Sequence, residues 1–309
     1  MIMNIVGVRV KLISNNCKII EFIRGFNHIL DIYWSEEKSS NDYDCTLTYL
    51  DQDIIGNKVI IEGYNVTYIA KWESVFRSTA IRTLLILISE KFRQHHLKQF
   101  TIHASAVSFG NKGFVFSGGQ GSGKTTMAMS LTINDGFNYI ANEYTILGQN
   151  NNSVSVFGAT GPLSLRYESV NLSFPQIVKK IFPLDPDDSW NCKKRVDPSA
   201  LKISIEYKPV ELEGIFIIRL DKSGSNYFNQ IDDPYKINAF LYEESSRIIK
   251  GVALPLFTPD GLAETYCPSF DSNELSFNRQ KIISQLQNKV YMLSGSLDYC
   301  KSCIRNIIR

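Results

Sequence analysis

At 309 residues, 44% of them hydrophobic, the chain is long enough for one large domain or for a small domain joined to a typical one. Its 33 basic and 31 acidic residues are interspersed and leave a formal charge of +2, which argues against the basic field that draws nucleic acid. The longest apolar run, Leu84 to Ile88, is far short of the roughly 20 residues that cross a bilayer, and Met1 to Val10 has no charged region leading into an apolar core and cleavage site. A cytoplasmic protein with neither membrane nor nucleic acid as partner is expected.

Short β-rich runs come first, at Ile5 to Ile13, Cys45 to Tyr49, Lys58 to Glu62 and Val66 to Ala70, separated by Ser/Asn/Asp/Gly turns. From Glu73 to about His96 the apolar residues Val75, Phe76, Ala80, Leu84, Leu85, Leu87 and Ile88 recur at helical spacing, which predicts one amphipathic helix. Residues 1–95 are therefore read as a β-rich N-terminal region ending in that helix, and 96–309 as the main domain. Strands are predicted over Thr101 to Phe109 and Gly113 to Phe116, joined through Gly110-Asn111-Lys112-Gly113 as a hairpin. A helix follows over Thr125 to Ile133, ended by Gly136, and a strand at Tyr139 to Ala141 completes a β-loop-α-β unit. Later strands are predicted at Ser153 to Phe157, Ala200 to Tyr207 and Glu213 to Leu220, and helices at Ser173 to Ile181, Pro234 to Lys250 and Glu274 to Leu293. Of the six cysteines only Cys300 and Cys303 are close in sequence, with no second pair to complete a zinc site, so all six are read as reduced thiols.

The chemistry concentrates in the loop between the second hairpin strand and the helix. Gly118-Gly119-Gln120-Gly121-Ser122-Gly123-Lys124-Thr125 fits G-x-x-x-x-G-K-[ST], with Phe114-Val115-Phe116 upstream as strand and Thr126 continuing into the helix. Glycines allow positive φ, so that backbone N–H groups can turn inward on phosphate oxygens, and the helix adds its positive end at the same point. Lys124 is the residue to neutralise the β- and γ-phosphates, and Thr125 offers a hydroxyl to Mg²⁺. The predicted ligands are thus a nucleoside triphosphate, ATP or GTP, with Mg²⁺. A redox dinucleotide site is disfavoured: Glu143 stands about 20 positions on, but G-x-G-x-x-G has no use for Lys124 and Thr125.

Two neighbours are candidates for catalysis. Glu143 ends the strand Tyr139 to Ala141, expected beside the P-loop strand, so that its carboxylate either faces metal and γ-phosphate or caps the loop Asn142 to Thr145. His103, one strand before the loop, is either a structural histidine or a second group of the site.

The order His103-Ala104-Ser105-Ala106-Val107, Gly118 to Thr125, Gly136-Phe137, Ile140-Ala141-Asn142-Glu143 and Thr160-Gly161-Pro162-Leu163-Ser164-Leu165-Arg166 resembles the HPr kinase/phosphorylase family of P-loop kinases and its HPr-kinase-like relatives. The resemblance spans about residues 100 to 220. It implies an α/β fold with a P-loop kinase core of HPr-kinase/PEP-carboxykinase-like type and transfer of the γ-phosphate to a hydroxyl, on Ser/Thr of a peptide or protein or on a small metabolite. It also implies Glu143 as metal ligand or base, Arg166 as a group that steadies the transferred phosphoryl, and a homo-oligomer. Asn142-Glu143 departs from the family's two aspartates, leaving Glu143 as the one acid at that place. A nucleotide-gated binding or regulatory module with reduced or lost transfer is the alternative this departure raises. Acceptor specificity is assigned to the N-terminal region and to Phe182 to Pro198.

Overall fold

Where a single strand is expected over Ile5 to Ile13, the chain makes a hairpin of β1 (Ile2–Ile5) and β2 (Val8–Ser14). The turn is Val6-Gly7, with φ of 46° and 83°, and the carbonyls of Ile5 and Val6 accept hydrogen bonds from Arg93 at 2.9 and 3.3 Å. Strand-forming residues on both sides of Gly7 hide this turn. The architecture comes from a computed structural model that describes every residue except 26–31, 39–40, 55, 73–79, 151–152, 159–160, 190, 222–224, 252–255, 258–262, 266–268 and 309.

Contacts divide the chain into two units, residues 1–102 with 240–282 and residues 103–239 with 283–309. In the first, α1 (Lys18–Gly25) follows β2, and β3 (Ser35–Glu37), β4 (Cys45–Asp51), β5 (Lys58–Glu62) and β6 (Asn65–Ala70) complete a mixed sheet in the order β3-β1-β2-β4-β6-β5. Helix α2 (Ala80–Phe92) covers part of the expected amphipathic helix; the rest of that stretch, 73–79, lies outside the described residues. Instead of one apolar stripe, α2 buries Thr83, Ser89 and Glu90 along with its leucines and isoleucines. Burial of Glu90 is tolerable because it is paired and hydrogen-bonded: Arg93 lies at 3.5 Å, and Thr101 N, Thr101 Oγ1 and Gln94 Nε2 donate to it at 2.8, 2.6 and 2.8 Å. Beyond α2 a π-turn, Arg93–Leu97, ends at Lys98 in the left-handed region, and β7 (Gln99–Ile102) follows.

The second unit starts at His103, which interrupts the strand expected over Thr101 to Phe109. Then β8 (Ala104–Phe109) and β9 (Lys112–Ser117) pair antiparallel around Gly110-Asn111, a two-residue hairpin turn with Gly110 at φ 58°. Helix α3 (Lys124–Asn134) leads to β10 (Asn138–Ala141), which pairs with β8 rather than with the P-loop strand β9. The hairpin partner occupies the place where β10 was expected. Strands β11 (Thr145–Asn150) and β12 (Ser153–Phe157) pair antiparallel. Next come β13 (Leu163–Arg166), α4 (Tyr167–Ser173), α5 (Pro175–Ile181) and β14 (Lys193–Val196). The helix expected over Ser173 to Ile181 is α5, which starts at Pro175 because proline can begin a helix but not continue one, and the separate helix α4 before it was not expected.

A strand expected over Ala200 to Tyr207 is absent. Pro198–Leu201 makes a 3₁₀ turn, and only Ile205 bridges to Tyr139. Long β15 (Val210–Leu220) runs parallel to β9, followed by β16 (Tyr227–Gln230) and α6 (Pro234–Ser246). In the first unit's second segment β17 (Leu256–Phe257) pairs with β18 (Ala263–Thr265), and α7 (Asn273–Ile283) ends where the predicted helix was to run on to Leu293. Val290–Gly295 is instead β19, parallel to β15, and α8 (Leu297–Ile308) closes the chain. Phe114, Phe116, Met127, Leu131 and Phe216 share one core cluster with Cys300 and Cys303, so these two thiols are packing groups, and burial pushes Cys300 up to about 12. The candidate site is therefore built on a mixed α/β scaffold in which β9, the strand before the glycine-rich loop, is held on both sides, by β8 and β15.

Candidate functional site

Strand β9 ends at Ser117, and residues 118–123 turn the chain into α3. Gly118, Gly121 and Gly123 take φ of 140°, 79° and 96°, conformations open to glycine and strained for other residues. The loop is tied down at its base: Leu220 N donates to Ser122 O (2.9 Å), so the end of the parallel neighbour β15 carries it. Gly119, Gln120 and Gly121 are exposed at the tip. No side chain caps α3, whose N-cap is Gly123, so Thr125 and Thr126 lie in the first turn of a helix whose N-terminal end is uncapped.

A Cβ on Gly123 would lie 2.5 Å from Leu220 Cγ and Cδ1, whereas one on Gly121 would meet nothing within 4 Å. Gly123→Ala is expected to cost at least about 2 kcal/mol, from positive φ and overpacking together, and Gly121→Ala only about 1 kcal/mol from φ alone. Chemical denaturation of the two variants against the parent checks the difference; equal losses would refute the packing argument.

Lys124 is buried, and its Nζ donates to Gly118 O (2.8 Å) and Gly119 O (3.0 Å), folding the ammonium over the loop. Thr125 Oγ1 donates to Asn142 Oδ1 (2.8 Å), and Ser105 Oγ from β8 donates to the same oxygen (2.7 Å). Asn142 is 1% exposed and its Nδ2 has no hydrogen-bond partner. One buried amide thus joins the P-loop helix, the strand β8 and the end of β10.

Glu143, the next residue, has φ 65° at the centre of a three-residue turn closed by Tyr144 N donating to Asn142 O (2.8 Å). A γ-turn with positive φ at a non-glycine residue is rare and strained, and strain of this kind clusters at functional sites. Its Oε2 lies 2.9 Å from His103 Nε2. Both side chains remain about one-third exposed, at 37% and 33%. The hydrogen bond from His103 is the largest influence on the Glu143 carboxyl and holds it below its ordinary pKa, with help from the charges of His103, Lys124 and Lys193, while burial pulls the other way.

That lowering has a sign that can be tested. A carboxyl whose folded pKa is depressed stabilises the fold fully above the ordinary value of 4.5, and this contribution fades as pH falls from there through the folded value. Wild type is expected to lose stability relative to Glu143→Gln between pH 7 and pH 3, as read by urea denaturation at each pH. A constant difference would mean that the bond to His103 does not lower the carboxyl pKa.

Arg166 ends β13 directly opposite Lys193 of β14. Leu163 and Leu165 of that hairpin pack in a cluster with Met129 of α3 and Tyr139 of β10, which fastens it beside the P-loop helix.

No family model matches the chain, and no curated protein matches it. Among solved structures, the Hpr(Ser) kinase/phosphatase from Coxiella burnetii is similar over 43% of this chain and 77% of its own, with 14% identity and a TM-score of 0.27. So slight a likeness carries nothing about the chemistry, which rests on this chain's own residues.

His103, Glu143, Lys124 and Thr125 are brought together, and Ser105, Asn142 and Lys193 join them. Ser105 was within reach of sequence reasoning, because a strand places residues 103 and 105 on one face. Lys193 was not, since 26 intervening residues separate it from Arg166. Among the described residues no group of three His, Cys, Asp or Glu is arranged to hold a metal by itself. A hard cation bound through substrate phosphates needs less from the protein, and the oxygens of Thr125 and Glu143 are of the right kind. No described helix is long and apolar enough to cross a membrane.

Proposed function

We propose that this chain is a kinase that transfers the terminal phosphoryl group of a nucleoside triphosphate, ATP or GTP, to a hydroxyl acceptor. The observation that carries the reading is the His103–Glu143 pair, 2.9 Å apart, beside a glycine loop whose Thr125 is tied to the adjoining Asn142. Residues 118–123 and the first turn of α3 cradle the phosphates through backbone N–H groups. Lys124 leaves the loop carbonyls for the β- and γ-phosphate oxygens, exchanging two neutral acceptors for charged ones. Thr125 and Glu143 would hold a Mg²⁺ ion, which when bound would offset the charge of the phosphates. Asn142 takes the Thr125 hydroxyl proton, which leaves that oxygen's lone pairs available to Mg²⁺.

Proton removal from the acceptor falls to the His103–Glu143 pair. A depressed carboxyl is a weak base alone, but it fixes the imidazole through Nε2, so the two side chains can act on the proton together. Arg166 and Lys193 would supply the positive charge that offsets the equatorial oxygens of the moving phosphoryl. Label from γ-labelled ATP, followed into the protein and small-molecule fractions of a host extract, tests the reading. Transfer by the wild type alone, and not by Lys124→Ala or Glu143→Gln, supports it.

A second reading is a nucleotide-gated module without transfer. Asn142 favours it, because a buried amide stands where the resembled family has a carboxylate, and an amide supplies no negative charge to a metal. Mg²⁺-dependent ATP binding with no labelled acceptor would move the assignment to it.

A further inference from the structure

Three elements of the first unit bring a phenol, an imidazole and a carboxylate into line. Tyr64 stands in the turn between β5 and β6, beside Gly63 at φ 62°, and its carbonyl accepts from Thr46 N at 3.0 Å. His95 comes from the π-turn after α2, and Glu274 from the first turn of α7. Tyr64 Oη is hydrogen-bonded to His95 Nδ1, and His95 Nε2 lies 2.7 Å from Glu274 Oε1. An ionised carboxylate only accepts, so Nε2 carries the proton that goes to Glu274, and the neutral ring turns the lone pair of Nδ1 on the phenol O–H. Nucleophile, base and orienting acid thus follow one another as they do where a weak nucleophile is activated.

Stability explains this arrangement poorly. The His95 and Glu274 side chains are 32% and 64% exposed, and pairs so open to water contribute little. The π-turn that carries His95 is itself a feature that recurs at functional sites. Burial holds the Tyr64 phenol above its ordinary pKa, so at neutral pH it keeps its proton and depends on a base to lose it. Two ammonium groups flank the pair: Lys91 Nζ donates to Gly63 O at 2.7 Å and sits 5.4 Å from the centre of the Tyr64 ring, and Lys98 Nζ donates to His95 O at 2.7 Å. Asp44, a carboxylate whose charge is felt at the adjoining His96, is bound by Arg9.

We infer that Tyr64, His95 and Glu274 form a second reactive site, in which the Tyr64 phenol takes a phosphoryl group from an anhydride of phosphoric acid. The bond from Oη to phosphorus forms as the bond from phosphorus to the leaving group breaks. The phenol proton passes to His95 Nδ1, Glu274 holds the ring in the tautomer that receives it, and the leaving group departs as an anion. Lys91 and Lys98 favour an electrophile that carries negative charge, which selects phosphoryl over neutral acyl donors. All these residues belong to the first unit, so the inference does not rest on the kinase reading.

Acetyl phosphate is the probe, because it supplies a phosphoryl group without nucleotide and leaves as acetate. The full chain is incubated with it in EDTA, and phosphotyrosine is measured peptide by peptide by mass spectrometry. Tyr235, 86% exposed, is the reference within the same chain for a phenol made reactive by exposure alone. Tyr64 is expected to label at least about tenfold faster than Tyr235, the opposite of the order that exposure predicts. His95→Gln is expected to lower that ratio at least about tenfold, Glu274→Gln to lower it less, and Tyr64→Phe to leave that peptide unlabelled. Faster labelling of Tyr235 in the wild type overturns the inference, whatever a variant does to the fold. So does an unchanged ratio in His95→Gln, which is what a merely structural hydrogen bond would give. Labelling of Tyr64 only when ATP and Mg²⁺ are added also overturns it, while supporting the kinase reading. Conversely, preferential labelling of Tyr64 by acetyl phosphate supports the second site even where no transfer from ATP is found.

Discussion

Lys124→Ala is expected to weaken binding of Mg²⁺-nucleoside triphosphate about 100-fold, roughly 3 kcal/mol, with little change in the fold. The size follows from what the ammonium can reach. In this structure it is buried against two loop carbonyls, Gly118 O and Gly119 O, and the exchange of those neutral acceptors for phosphate oxygens gives charge-assisted bonds worth about twice as much each. The fold loses little, because the loop keeps its anchor from Leu220 N to Ser122 O. Lys124→Arg is expected to rescue poorly. A planar guanidinium needs more room than an ammonium folded over a glycine loop leaves. Isothermal titration with ATP and Mg²⁺, beside a melting curve for each variant, checks both halves of the argument. Affinity within threefold of wild type would remove Lys124 from the phosphate site.

Much of this site was legible in the sequence because it is local. Gly118 to Thr125 is one contiguous loop, and its glycines, lysine and hydroxyl are recognisable by spacing alone. The strand before it and helix after it are equally local, and β9 and α3 fall within about a residue of their expected bounds. What was not legible depends on partners far along the chain. The place beside β9 belongs to β8 because a two-residue turn at Gly110-Asn111 returns the strand at once, which pushes β10 one position outward. Even so, Asn142 and Glu143 reach the loop, since β10 runs antiparallel to β8 and so in the same direction as β9.

Other misses have equally specific causes. Val6-Gly7 turns between residues that all favour strands, and the carbonyls of that turn are held by Arg93, 87 residues away in sequence from Val6. β19 was absorbed into a helix because Val290 to Leu293 continues the apolar spacing of α7, and only the break after Ile283 separates them. The left-handed backbone at Glu143 had no signal at all. Neither glycine nor asparagine marks it, and it is the tertiary pairing with His103 that holds the strained turn.

Glu143→Gln is expected to lower phosphoryl transfer about 1,000-fold, about 4 kcal/mol in the barrier, and to leave nucleotide affinity within a few fold. Glutamine is the informative substitution because its amide oxygen can still accept from His103 Nε2, so the three-residue turn and the imidazole orientation survive while the charge and basicity do not. Removing the whole side chain would confound chemistry with collapse of a strained turn. If the pair shares the acceptor's proton, His103→Gln also lowers transfer, and combining the two substitutions lowers it little further, since the residues act as one unit. If Glu143 acts chiefly on the metal, Glu143→Gln instead raises the Mg²⁺ concentration needed for half-maximal rate, and His103→Gln has a small, independent effect. Single-turnover rates over a Mg²⁺ series for wild type, both single variants and the double variant separate the two roles. Unchanged turnover in Glu143→Gln would refute both, and would leave the strained backbone at Glu143 without a catalytic explanation.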